Sequence, residues 1–368
     1  MSAEPNEPAE PTQASSPRRV VYVVGSGRSG TSTMAGTLRT LGLHVPQPEV
    51  AADSTNPKGF GEPQWLVDTH DELLRRSGVQ VSDARPRAWL DAGTVGADHA
   101  VRERVAAWLG EQLDGSDELV LKDPRAAWFL GLWRGAAQRH DATTSYVTML
   151  RPVTEVVGSK QKYYDARQGG VTRTAAWVNM MLGTERATRG EQRAFVRYAD
   201  MLADWTVPVF ALGEAFDLQA VKTAMAADIA AVHRFIDPSL RRVTLTWDDV
   251  PVPASLRELA DETWRVLEGL ADPGGDTPEA HRTCDELRTA YTRMYDDAEA
   301  FAASSVLAAR REGVRQGRDQ EREEARAAVG ARGERLSRVP HRVRALVPPT
   351  ARRSLRKALQ GKSAGREQ

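Results

Sequence analysis

The stretch VVYVVGSGRSGTSTMAGTL, residues 20–38, constrains the fold more than any other. Its β-branched apolar run stops at Gly25. After Gly30 the apolar residues return at helical spacing through Met34, Leu38 and Leu41, with Gly42 as a stop. A buried strand, a glycine-rich turn and a helix N-terminus in that order make an anion cradle, because free backbone N–H groups and the helix dipole face one point. Gly25 and Gly30 have the spacing of a Walker A loop, whose lysine directly follows the last glycine and reaches the β- and γ-phosphates. Thr31 and Ser32 stand there instead, and the only cation of the turn is Arg28. Gly25, Gly27 and Gly30 also spell the dinucleotide fingerprint G-x-G-x-x-G. The ribose-binding acid expected about 20 residues on would be Glu49 or Asp53, and both fall in a proline-rich loop rather than at a strand end.

The alternation of strand and helix continues. Residues 118–125, ELVLKDPR, read as a second strand stopped by Pro124. Residues 143–152, TTSYVTMLRP, read as a third, with a helix beginning VTEVVGSKQKYY after it; residues 194–205 read as a short fourth strand turning into a helix. Helices are expected over 65–76 and 99–113, and a loop over PQPEVAADSTNPKGFGEPQW. This order predicts an α/β fold with a central parallel sheet flanked by helices, and ligands at the carboxyl ends of the strands, where Gly25, Lys122 and Arg151 fall. The expected organisation is a disordered leader over 1–18, one α/β domain over 19–295, a charged exposed helix over 296–336 as a helical C-terminal extension, and a basic tail over 337–368.

Several function classes are disfavoured. Lys+Arg and Asp+Glu are both 50, so no net charge draws the molecule to nucleic acid, and none is expected as a partner. The single cysteine, Cys284, excludes a disulfide framework or a cysteine-built metal site within one chain. The leader has no apolar stretch of a secretory signal, and no segment approaches the roughly 18 apolar residues of a membrane helix. A cytoplasmic protein is expected. The tail sets Arg342, Arg344, Arg352, Arg353 and Arg356 among Val343, Leu346 and Leu355, a pattern that suits either a solvated extension or weak contact with the anionic inner face of a membrane.

GSGRSGTS resembles the 5′-phosphosulfate loop of the sulfotransferases that use 3′-phosphoadenosine 5′-phosphosulfate. MLRPVTEVVGSKQKYY, with Arg151 and eight residues later Ser159, is similar to the family's 3′-phosphate site. An arginine at a strand end and a serine two helical turns on can converge on one phosphate as fork and hydroxyl. NPKGFGEPQW and LVLKDPRAAWFLGLW look like segments of bacterial members acting on saccharides or secondary metabolites, and AAWVNMMLGTERATRGEQRAFVRYADMLADW is similar to a stretch further along such proteins. The resemblance covers roughly residues 19–210. It implies a P-loop-like sulfotransferase fold and 3′-phosphoadenosine 5′-phosphosulfate as co-substrate without a metal. It places Arg28, Ser29, Gly30, Thr31 and Ser32 at the 5′ end, and Arg151 and Ser159 at the 3′-phosphate. The acceptor it implies is a hydroxyl of a saccharide, glycolipid or secondary metabolite.

Sulfuryl transfer requires that the acceptor lose a proton, that the group be held in line, and that charge on the bridging oxygen be neutralised. Arg28 is the candidate for that charge; as an arginine it acts electrostatically, since it gives up no proton. Glu62 is the first candidate for the base, by the resemblance, with His70 and His44 as rivals of more convenient intrinsic pKa. Lys122 and Arg125 either bind the sulfuryl group or an anionic acceptor, with Asp123 orienting them, or close the strand end as an ion pair. Lys160 and Lys162 either add positive potential or form a solvated helix face, the reading preferred here. Trp128, Phe129, Leu132, Trp133, Trp177 and Tyr198 read as packing, Glu185, Arg189 and Arg193 as a salt-bridge set, and Trp65 as a surface for stacking on a sugar. Two other functions stay open: a P-loop kinase with Asp123 in the Walker B part, and a nucleotide-binding module that presents its C-terminal helix to a partner.

Overall fold

The computed structural model of the chain describes residues 17–53, 56, 58–163, 169–236 and 245–337, without the side chains of 161–163 and 327–337. Most of the leader, the tail from residue 338 and the Lys162 side chain lie outside the described residues. Four strands form one sheet: β1 (Arg19–Val24), β2 (Glu118–Lys122), β3 (Thr143–Leu150) and β4 (Gln192–Arg197). Their order is β2-β1-β3-β4, and every pairing is parallel. The expected central parallel sheet is therefore present.

Helices fill the connections. They are α1 (Thr31–Thr40), α2 (Gln64–Ser77), α3 (Ala88–Gly96), α4 (His99–Gly115), α5 (Leu130–Gln138), α6 (Val153–Tyr163) and α7 (Gly170–Thr188), then α8 (Tyr198–Asp204), α9 (Thr206–Ala215), α10 (Gln219–Lys222), α11 (Ala226–Phe235), α12 (Ala254–Gly269) and α13 (Pro278–Ser337). Strand β1 is buried along its whole length because helices cover both faces. Val20, Tyr22 and Val24 pack against α2 to α5, while Val21 and Val23 pack against α1 and α8 to α11. A third apolar cluster joins Leu150 to α6, α7, α12 and the first turns of α13. This period-2 division explains why the strand reads as a continuous apolar run rather than an alternating one.

The crossover helix of β1, α1, thus lies on one face, and α6 and α7, which follow β3, lie on the other. In an order of this kind a crevice opens between β1 and β3 at their carboxyl ends. Gly25 follows one of these strands and Arg151 the other. Strand β2 ends at Lys122 rather than running to Arg125: Asp123 caps a short 3-10 helix, Pro124–Phe129, by accepting from the Arg125 N–H, and the fixed φ of Pro124 suits its first position. Glu185, Arg189 and Arg193 do form an ion-pair set, completed by Asp276 and Asp285.

The chain divides into two compact units, Met1–Asp296 and Asp297–Gln368. In the first, Cys284, Leu287 and Tyr291 are buried in the third cluster. In the second, the described side chains are almost all exposed, including Phe301, Val306, Leu307 and Val314. No helix among the described residues is long and apolar enough to cross a membrane.

Candidate active site

The turn after β1 is tight. Gly25 leaves the strand at φ +121°, and a side chain there would meet the Met149 carbonyl of β3 at 2.8 Å. Ser29 closes the turn: its N–H and hydroxyl both donate to the Ser26 carbonyl, at 3.2 and 2.5 Å. The Ser29 hydroxyl is therefore directed into the loop, and an anion would meet the backbone rather than this proton. Arg28 has φ 77°, left-handed backbone that a non-glycine residue adopts at a cost. Gly30, at φ +94°, precedes α1, and a Cβ on it would fall inside the ring of Tyr198. No side chain caps α1 and no acid lies in its first turn, so its amide protons and dipole face the loop without a built-in anion.

Arg151 and Ser159 are joined to the loop by direct contacts. Arg28 Nε donates to Ser159 Oγ at 3.0 Å, and Arg151 Nη1 donates to the Arg28 carbonyl at 3.1 Å. Arg151 Nε is held by Glu155 at 2.8 Å, and its guanidinium lies over the Tyr198 ring, 5.2 Å from the centroid. Arg28, Arg151 and Ser159 are thus brought together. Tyr198, read from sequence as plain packing, supports both Gly30 and Arg151.

On the other side of the loop, Lys122 reaches across to α1. Its ammonium donates to Ser32 Oγ at 3.1 Å and to Glu62 Oε1 at 2.5 Å. Lysine and glutamate are 2% and 7% exposed, and an ammonium has three protons, so one stays available for a ligand. Burial pushes the Glu62 carboxyl up; the Asp123 charge adds to this, and Lys122 opposes it. Glu62 and Lys122 come together from positions 60 residues apart.

The rivals for the base are displaced. His70 is fully buried. Trp133 Nε1, which can only donate, donates to its Nε2 at 2.8 Å, so Nδ1 carries the proton and donates to Asp123 Oδ2 at 2.7 Å. No lone pair of His70 is left for an acceptor. The backbone of His44 pairs beside Leu119, near the amino end of β2 and about 10 Å of strand away from Lys122. Asp123 does not orient Lys122. Its oxygens serve His70, the Arg125 side chain and the Arg125 N–H. Burial raises its carboxyl, but these partners outweigh burial and hold it at about 2. Arg125 also holds Asp71 and closes the strand end. Trp65 stacks on Trp108, with centroids 4.4 Å apart and planes 3° from parallel, so one of its faces is taken.

Lys160 departs most from the sequence reading. It is no solvated helix face: it is 8% exposed, and its ammonium donates to Ser26 Oγ at 3.2 Å and Ser82 Oγ at 2.9 Å. A signal was present in the sequence. Lys160 lies four residues after Val156 and seven after Val153, on the buried stripe of α6.

No family model matches the chain, and no curated protein matches it. Among solved structures it is similar to the sulfotransferase domain of the Synechococcus PCC 7002 olefin synthase, at 15% identity and a TM-score of 0.41, over 70% of this chain and 98% of that domain. It is also similar to the sulfotransferase domain from the curacin biosynthetic pathway, at 14% identity and a TM-score of 0.38, over 68% and 98%. Likenesses of this degree leave the chemistry to the side chains.

The arrangement offers an amide-lined loop, two guanidinium groups on one network, and a buried carboxylate and ammonium beside the first turn of α1. It suits a ligand with two separated anionic groups and a proton to be removed near one of them.

Proposed function

We propose that the chain transfers a sulfuryl group from 3′-phosphoadenosine 5′-phosphosulfate to a hydroxyl of a saccharide, glycolipid or secondary metabolite. The observation that carries this reading is the joining of the two anion elements through Arg28, in a loop that has no Walker lysine. A donor with phosphates at both its 3′ and 5′ positions needs two such elements; a nucleoside triphosphate needs one.

The donor supplies an activated bond between sulfur and the bridging oxygen, and the rest falls to this chain. The loop amides from Ser29 to Ser32 and the start of α1 hold the 5′ end, and Arg151 and Ser159 hold the 3′-phosphate. Glu62 takes the acceptor proton, and its raised carboxyl makes it a stronger base than an exposed glutamate. The acceptor oxygen then bonds to sulfur as the bond to the bridging oxygen breaks. Lys122 and Arg28 neutralise the charge left on the bisphosphate.

The kinase reading is disfavoured at two of its positions. The hydroxyl at the magnesium-binding position of a Walker loop is Ser32, and it accepts from the Lys122 ammonium. Asp123, the candidate for the Walker B part, has both oxygens committed.

Calorimetry tests the reading. Adenosine 3′,5′-bisphosphate is expected to bind without magnesium, at least about tenfold more tightly than ATP with magnesium, a gap of ~1.4 kcal/mol. Equal affinities, or an absolute need for magnesium, would sink it. Arg151→Ala is expected to weaken the bisphosphate by roughly 30-fold, the ~2 kcal/mol of a desolvated charge-assisted contact. A change within about threefold would remove Arg151 from the 3′-phosphate site.

A further inference from the structure

The proposed mechanism leaves Lys160 unused, and its surroundings do not account for it. A buried ammonium in a folded protein is ordinarily paired with a carboxylate, because desolvation of a lone charge is costly. Here both hydrogen-bond partners are neutral hydroxyls, Ser26 of the loop and Ser82 of the segment between α2 and α3. Among the described residues, the charge that acts on Lys160 is that of Arg173 on α7, another cation and itself 3% exposed. Burial first, and Arg173 second, hold the ammonium down to about 8.

The position is as telling as the imbalance. Lys160 follows Ser159, which binds Arg28, and its own side chain reaches the opening residues of the loop. Two of its three protons are used. Ser26 donates only over a long 3.5 Å contact to the Gly27 carbonyl, so its proton is available to a better acceptor. The ammonium and the two hydroxyls it contacts are thus gathered at the start of the loop.

We propose that Lys160, Ser26 and Ser82 form a further ligand set of the loop for a tetrahedral oxyanion. This deepens the reading above, on which the oxyanion is the sulfuryl or 5′-phosphate end of the donor. The chemistry of the set does not depend on that reading, since free sulfate or phosphate presents the same oxygens. A lysine kept for an anion is a burden while the anion is away. Its replacement by an apolar side chain of similar shape therefore leaves the ligand-free protein at least as stable, whereas removal of a scaffold lysine lowers stability.

The test uses the full chain and the variants Lys160→Met and Lys160→Gln. Melting is followed with and without inorganic sulfate, and calorimetry is run with sulfate and with adenosine 3′,5′-bisphosphate. Without anion, Lys160→Met is expected to melt at or above the wild-type temperature. Its sulfate affinity is expected to fall at least about tenfold, as for loss of a charge-assisted contact. An equal loss toward the bisphosphate assigns the oxyanion to the nucleotide's 5′-phosphate; a loss toward sulfate alone assigns it to the sulfuryl position. Sulfate affinity within about threefold of wild type overturns the proposal, and so does failure of both variants to fold, which places Lys160 in the scaffold. A wild-type chain that binds sulfate but not the bisphosphate rejects the sulfotransferase reading and leaves the sulfate arm to decide on Lys160.

Discussion

Replacing Asp123 by alanine is expected to cost about 3–5 kcal/mol of stability, the range for removing one partner of a buried charged network. The carboxylate is fully buried and accepts from three groups on two elements: His70 of α2, and the side chain and N–H of Arg125 at the start of the 3-10 helix. Its loss leaves the His70 Nδ1 proton without an acceptor in the core. Denaturant unfolding checks this, and a loss below about 1 kcal/mol would show that the network contributes little. The pH dependence carries the same information. The folded carboxyl is held at about 2, below its ordinary 3.8, so its contribution is present above 3.8 and lost as the pH falls toward 2. A shift of this size corresponds to about 2 kcal/mol. Asp123→Asn is expected to abolish that acid dependence, and an unchanged acid limb would count against the assignment.

Gly30→Ala is expected to remove bisphosphate binding almost completely, by on the order of 100-fold. Two effects add. The residue sits at φ +94°, where a side chain strains the backbone, and its Cβ would enter the Tyr198 ring. Tyr198 cannot move alone, because the Arg151 guanidinium rests on it and Arg151 holds the Arg28 carbonyl. One methyl group therefore displaces the loop and Arg151 together. Combining Gly30→Ala with Tyr198→Ala relieves the clash but not the backbone strain, and is expected to recover melting temperature more than affinity. Full affinity in the single variant would show that neither the strain nor the ring constrains the loop.

Much of the scaffold was legible because it depends on neighbours in sequence. The run over residues 20–24 is apolar on successive residues, so it had to be a strand covered on both sides, and the helical spacing after Gly30 had to be α1. Arg151 and Ser159 were legible for the same reason: they are eight positions apart, one just past the end of β3 and the other two turns into α6, and helix geometry sets their reach. The missing lysine after Gly30 was visible as a bare fact of order.

What the sequence by itself determined, then, was the alternation of elements, the loop and the Arg151–Ser159 spacing. Only the tertiary structure decided which charges meet. Glu62 and Lys122 are paired because the strand order sets β2 beside β1 and brings the end of β2 against α1. His70 became a core histidine because Trp133 and Asp123 close on its two nitrogens from 63 and 53 residues away. Lys160 became a buried cation because α6 is covered on the side that its valines share with it. The character of an ionisable group follows from its desolvation and its partners. Both are properties of surfaces brought together by the sheet order, and local sequence carries neither.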